Sequence, residues 1–182
     1  MCKTLIHFFT IADFEEEEIW LREQHKKGLK LVKMIIPCFY IFEECEPEDV
    51  IYRLDYQNIK PGDDYWKMLE DFGWEYIAHC LNWNYFRKKA EDIQAEEEGE
   101  LFSDNASKVE MIRSVLSTRL IPLVVIFFCC IIPNISRILA GEMVGPWARA
   151  FTIIYSFLFV LYIYLITYCG NKLRKLKDKY SN

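Results

Sequence analysis

Ala150 to Gly170 runs for 21 residues without a charged side chain. A helix needs about 20 apolar residues to cross the hydrocarbon core of a bilayer, so this segment meets the requirement alone. A second run, Leu120 to Ile132, is also uncharged, and its apolar pattern extends to Leu139 across Arg137. It reaches spanning length if the helix starts near Leu116. The competing reading is a buried hairpin of a soluble fold, which the length and the lack of charge disfavour.

Charge is distributed unevenly around these runs. Residues 1–90 carry 12 Lys/Arg and 17 Asp/Glu, residues 91–107 carry seven acids and no base, and residues 108–182 carry 10 bases and three acids. An acidic front with basic charge flanking apolar runs argues against a nucleic-acid partner. The apolar stretch Leu5–Ile11 contains His7, is too short to span, and lacks a small-residue cleavage site, so it is not read as a signal peptide. Lys108, Arg113 and Arg119 precede the first span, and five bases from Lys172 to Lys179 follow the second. Only Arg137 and Arg149 lie between them. Positive charge favours the cytoplasmic side, so a cell-membrane protein with two spans and both termini in the cytoplasm is expected.

The expected layout is a cytoplasmic domain at 1–90, an acidic linker at 91–107 and a juxtamembrane helix at 108–119. A first span follows at 116–137, then a short extracytoplasmic loop at 138–148, a second span at 149–170 and a basic tail at 171–182. Ser103 or Asp104 is the expected cap of the juxtamembrane helix. The basic tail suits anionic lipid. Pro122 and Pro133 interrupt the first span's hydrogen bonding, and Tyr155 and Tyr162 share one face of the second as a packing stripe.

The front 90 residues match themselves on a shift of 45. Trp20-Leu21 falls on Tyr65-Trp66, Gly28 on Gly73, Tyr40 on Tyr85 and Ile41 on Phe86. Each unit is expected to fold as strand, helix, strand, strand. In the first, Leu5–Phe9 is a strand and Asp13 caps a helix through a capping box with Glu16. That helix ends at Gly28, before a hairpin of Leu29–Ile36 and Cys38–Glu44. The acidic run Glu15–Glu18 is expected on a solvated face, with Glu18–Arg22 and Glu23–Lys27 as pairs one turn apart. In the second unit Val50–Tyr56 is a strand and Pro61-Gly62 a turn. A helix ends at Gly73, and Trp74–Leu81 pairs with Trp83–Lys88. The expected fold class is an α+β domain, an antiparallel sheet with two helices on one face, followed by a two-helix transmembrane hairpin.

A sheet covered on one face leaves its other face to explain. Tyr40, Tyr52, Tyr56, Tyr76, Trp83 and Tyr85 are candidates for it, since each offers a large apolar body and a polar tip. They fit a core, a pocket for a small apolar or cationic ligand, or a protein interface. Cys38 and Cys45 lie seven apart on one strand, on opposite faces, so no metal site is expected, and no cofactor. Arg53 and Asp55 share a strand face and are expected to pair. His7 and His79 lie on strands that a sheet can bring together. No nucleophile elbow, phosphate loop or paired acid and base occurs, so catalysis is not expected.

The topology is similar to the duplicated effector-binding domains of the GyrI-like superfamily, which take small aromatic or cationic molecules between two repeats. Several short motifs resemble a bacterial family catalogued as domain of unknown function 2812. They are Tyr52-Arg53-Leu54-Asp55-Tyr56, Gly73-Trp74-Glu75-Tyr76, Tyr85-Phe86-Arg87, Phe102-Ser103-Asp104 and the helix Glu18–Gly28. The resemblance implies a cytoplasmic domain followed by membrane spans, often encoded beside PadR-type repressors, and carries over no catalytic residue. The expected function is a membrane-anchored sensor or regulatory module that binds a small ligand or a partner protein. A non-catalytic interaction subunit of a membrane complex is the alternative. Membrane lipid, and either further copies of the chain or a membrane-protein partner, complete the expected partners.

Overall fold

Gly28 and Gly73 each follow a helix with positive φ, +81° and +79°. Glycine takes this left-handed conformation without the Cβ penalty other residues meet. In the computed structural model, which describes residues 2–57, 62–93, 95–101, 105–142 and 145–181, the two glycines mark one point of a repeated unit. The first unit runs β1 (Cys2–Ile6), α1 (Phe14–Lys26), β2 (Leu29–Ile35) and β3 (Phe39–Glu44). The second runs β4 (Val50–Tyr56), α2 (Asp63–Asp71), β5 (Glu75–Cys80) and β6 (Trp83–Lys89).

Each unit forms a three-stranded antiparallel sheet, ordered β1-β3-β2 and β4-β6-β5. The register slips between Leu31 and Lys33 in the first and between Tyr76 and Ala78 in the second. These positions are again 45 apart, so the duplication extends to the bulges that bend each sheet. β2 and β5 lie beside each other. The β5–β6 hairpin turns on Leu81 and Asn82, both with positive φ, as a two-residue turn that suits the strand twist requires.

The two helices cover opposite faces of the second sheet, not one face as the repeat pattern suggests. Neighbouring residues on a strand point to opposite faces. Tyr85 of β6 reaches α1, while Phe86 packs against Trp66 of α2. α1 serves both sheets, since its Trp20 also packs on Tyr40 and Phe42 of β3. α2 takes the other face, where Leu69, Trp74 and Phe86 form a core flanked by Ile51, Tyr65, Trp66 and Leu101. Full burial of one such side chain contributes about 1.5–3 kcal/mol.

Several local expectations give way to tertiary contacts. β1 lies earlier than Leu5–Phe9. Asp13 holds the N-cap position of α1, but its carboxylate accepts the Thr10 N–H and hydroxyl. Arg22 pairs with Asp49 and Glu18 with Arg53, rather than with each other. Arg53 also pairs with Glu100, and Asp55 bonds to Tyr65 and Gln57. Residues two apart on a strand stand about 7 Å apart, so these better-placed partners prevail. His7 stacks on Trp20 while His79 bonds to Asn84 of the second sheet, so the two histidines do not meet. Pro61 and the motif Phe102-Ser103-Asp104, with the expected cap, lie outside the described residues.

The chain divides into two compact units, Met1–Ser114 and Val115–Tyr180. Two helices, Asn105–Leu139 and Ala148–Tyr180, are long and apolar enough to cross a membrane. The first comprises α3 (Asn105–Val115), α4 (Ile121–Ile126) and α5 (Ile132–Leu139), joined by wider π turns at Leu116–Leu120 and Phe127–Ile131. Each π turn ends two residues before a proline, Pro122 or Pro133, whose missing N–H interrupts the regular ladder. In the second unit Phe127 stacks against Phe159 and Tyr162 of α6 (Ala148–Ser181). Leu120 approaches Gly170, where a small side chain lets helices come close.

Candidate functional site

The face beneath α1 is organised by a carboxylate. Residues 14, 17, 21, 24 and 25 of α1 fall on one stripe, and all are buried, Glu17 among them. Tyr40 and Tyr85, equivalent residues of the two repeats, both donate to Glu17 Oε1, at 2.8 and 2.7 Å. Burial pushes the Glu17 carboxyl up to about 7, against the two hydroxyl donors and with Asp13 adding to the rise. Glu18 accepts the Leu54 N–H at 2.8 Å and the Arg53 guanidinium at 3.2 Å. Burial raises it to about 8, with Arg53 opposing. The expectation of a solvated acidic run thus fails at Glu17 and Glu18, which turn inward.

The same face holds the Tyr52 hydroxyl, which accepts the Leu31 N–H at 3.3 Å and lies 2.8 Å from His25 Nδ1. Its own proton is then free for Nδ1, which suits a neutral imidazole. Burial, and then the charge of Arg87, lower the His25 pKa accordingly. Trp83 packs between Phe14 and Tyr56. This region is a filled core with an internal polar network, and such networks rigidify a fold when satisfied.

The opposite face carries an open cleft of about 580 Å³ between α2 and β5. Trp66, Trp74, Tyr76 and Phe86 line it with Leu69, and Glu70 and Glu75 are also at its walls. Trp66 stands edge-on to Tyr76 at 5.0 Å and tilted on Phe86 at 5.9 Å. Tyr76 is 46% exposed, whereas Trp74 and Phe86 form the buried floor. Arg87 grips Glu75 through two bonds of 2.6 Å and holds its carboxyl below the usual range. Asp55 fastens α2 to the sheet. It is wholly buried and accepts the Tyr65 hydroxyl and, at 2.7 Å, Gln57 Nε2. Burial raises its pKa.

The six aromatic candidates therefore do not share one space. Tyr40, Tyr52, Tyr56, Trp83 and Tyr85 lie on the α1 side, the four tyrosines almost fully buried. Tyr76 alone lines the open cleft. Sequence reasoning missed Trp66, Trp74 and Phe86, although Trp66 and Leu69 share a helical face that ends at Gly73. It also missed Glu17, which falls on the stripe between Phe14 and Leu21. Among the described residues no cluster of His, Cys, Asp and Glu is suited to a metal ion.

The family model described as Protein of unknown function (DUF2812) matches residues 13–125. The chain belongs to this family. The DUF2812 match begins at the cap of α1 and ends within α4, so it covers both aromatic faces and the start of the first long apolar helix. No curated protein and no solved structure matches the chain.

Proposed function

We propose that this DUF2812 protein is a membrane-anchored regulatory module that binds a small apolar or cationic ligand in the cleft between α2 and β5. The observation that carries the reading is the cleft itself. Its volume of about 580 Å³ falls within the usual range for small-molecule sites, which are mostly apolar with a few polar groups. Four rings surround it, and stacked or edge-on rings recognise planar and cationic partners. Glu70 adds negative charge at the wall, while Glu75 is already neutralised by Arg87. The polar network under α1 gives the cleft a rigid base. The distribution of Lys and Arg supports two spans with both termini in the cytoplasm, which puts the cleft on the cytoplasmic side. Met68 on α2 and Phe72 just after it, both exposed, support the second reading, a partner protein seated against α2.

The test uses the purified full-length chain in detergent micelles. Two probes share one xanthene ring: cationic rhodamine 6G and anionic fluorescein. Saturable anisotropy of the cation beyond the micelle-only control, with weaker response to the anion, is the expected result. Tyr76→Ala removes one exposed ring, worth about 1 kcal/mol, and should weaken binding about fivefold. Binding that ignores Tyr76→Ala, or no saturable binding of either probe, overturns the cleft as a ligand site and leaves the partner-protein reading.

A further inference from the structure

We infer that the free edge of β1 pairs with the same edge of a second copy of this chain, joining two first sheets across a twofold axis. The argument begins with hydrogen-bond parity. The His7 N–H donates to the Cys38 carbonyl at 3.0 Å, and these residues continue the β1–β3 register. In an antiparallel ladder the bonded pairs alternate, so Leu5 and Lys3 also point their backbone groups at β3. Cys2, Thr4 and Ile6 therefore point theirs outward, where no described residue meets them.

The equivalent edge of the second repeat shows what protection looks like. The Gln57 N–H donates to the Asn82 carbonyl and the Ala90 N–H to the Asp49 carbonyl. The outward groups of β4 then belong to the even-numbered residues. Two of these are occupied by side chains: the Leu54 N–H donates to Glu18, and Arg53 Nη1 donates to the Tyr52 carbonyl at 3.0 Å. Proteins generally block sheet edges with charges, bulges or covering elements. β4 has its outward groups covered in this way, whereas β1 keeps a regular register and carries only the charge of Lys3.

Register follows from charge and from bond count. A twofold axis through Thr4 places Thr4 opposite Thr4, Cys2 opposite Ile6 and Lys3 opposite Leu5 of the second copy. All three outward residues then find bonded partners. Ile6, 63% exposed, gains a neighbour, and no like charges face each other. An axis through Lys3 sets Lys3 against Lys3, which is unfavourable. An axis through Leu5 leaves Cys2 unpaired. One strand pair is small for a soluble dimer. Chains anchored in one bilayer share a plane and an orientation, and such tethering raises effective concentration. A twofold axis along the membrane normal is also the closed symmetry such anchoring allows.

The test is oxidative crosslinking of the full-length chain in phosphatidylcholine–phosphatidylglycerol vesicles. In a Cys2→Ser parent, Thr4→Cys puts two thiols on the axis. Their Cα atoms would stand about 5.5 Å apart, within reach of a disulfide. Thr4→Cys should give at least about tenfold more covalent dimer than the parent, and Lys3→Cys, off the axis, clearly less. A Thr4→Pro variant, which removes an outward N–H, should lower the dimer fraction seen by light scattering in micelles. Equal crosslinking in Thr4→Cys and the parent, with native circular dichroism, overturns the inference. So does a larger yield from Lys3→Cys. Neither result depends on a ligand, so the cleft reading stands or falls separately.

Discussion

Replacing Glu17 by Gln should abolish a pH dependence that the native fold builds into its core. Glu17 is 6% exposed, and burial holds its carboxyl neutral up to about pH 7. In the unfolded chain the same group ionises near 4.5. Between those values the native state binds more protons, so stability falls as pH rises. This one group should make the wild type about 3 kcal/mol less stable at pH 8 than at pH 4. Gln keeps an oxygen for the Tyr40 and Tyr85 hydroxyls but cannot ionise. The assay is thermal unfolding of the full chain in micelles, followed by far-ultraviolet circular dichroism from pH 4 to 8. The wild-type and Glu17→Gln curves are compared at each pH, so groups common to both, Glu18 included, largely cancel. Relative to its difference at pH 4, the variant should gain about 3 kcal/mol by pH 8, roughly 10 °C in Tm for a unit of this size. A difference that stays constant across the range would refute the reasoning. Glu17 would then be solvated, and the two tyrosines would not converge on it.

Three further outcomes are expected. Gly28→Ala and Gly73→Ala both force a side chain into positive φ, but a Cβ at Gly28 would also meet the Cys45 carbonyl oxygen at 2.9 Å, while at Gly73 it meets the flexible Lys88 chain at 3.5 Å. Gly73→Ala should therefore cost about 1 kcal/mol in urea unfolding and Gly28→Ala clearly more. Glu18→Ala uncovers the Leu54 N–H on the β4 edge, so light scattering in micelles should show assemblies larger than a dimer; an unchanged mass would show that Glu18 does not guard that edge. In intact cells a membrane-impermeant maleimide should label Arg149→Cys but not Lys172→Cys above the parent signal, and the reverse pattern would invert the proposed topology.

Local features of the domain were legible because they have local causes. A helix followed by a left-handed residue calls for glycine, so Gly28 and Gly73 announced both helix ends and the repeat. β4 alternates clearly, and its observed limits are Val50–Tyr56 as expected. The inward acids of α1 are set by position rather than by residue type. Glu17 lies three after Phe14 and four before Leu21, on the stripe that faces the sheets. A buried carboxylate there needs two hydroxyl donors, which arrive from β3 and β6, 23 and 68 residues along the chain. The open cleft was hidden for the same kind of reason. Tyr76 is among the aromatic candidates, but its neighbours Trp66 and Phe86 become a lining only once α2 sits on the face opposite α1.

The sequence alone determined the two long apolar helices, the duplicated strand–helix–strand–strand order and the turns between them. Each of these follows from side-chain hydrophobicity and backbone preference within a few consecutive residues. The placement of α1 across both sheets, the transfer of α2 to the far face and the fate of each aromatic ring came only with the tertiary structure. A strand offers two equivalent faces to any helix. Which face a helix takes depends on packing and on pairing buried polar groups across tens of residues, and no short window of sequence contains that competition.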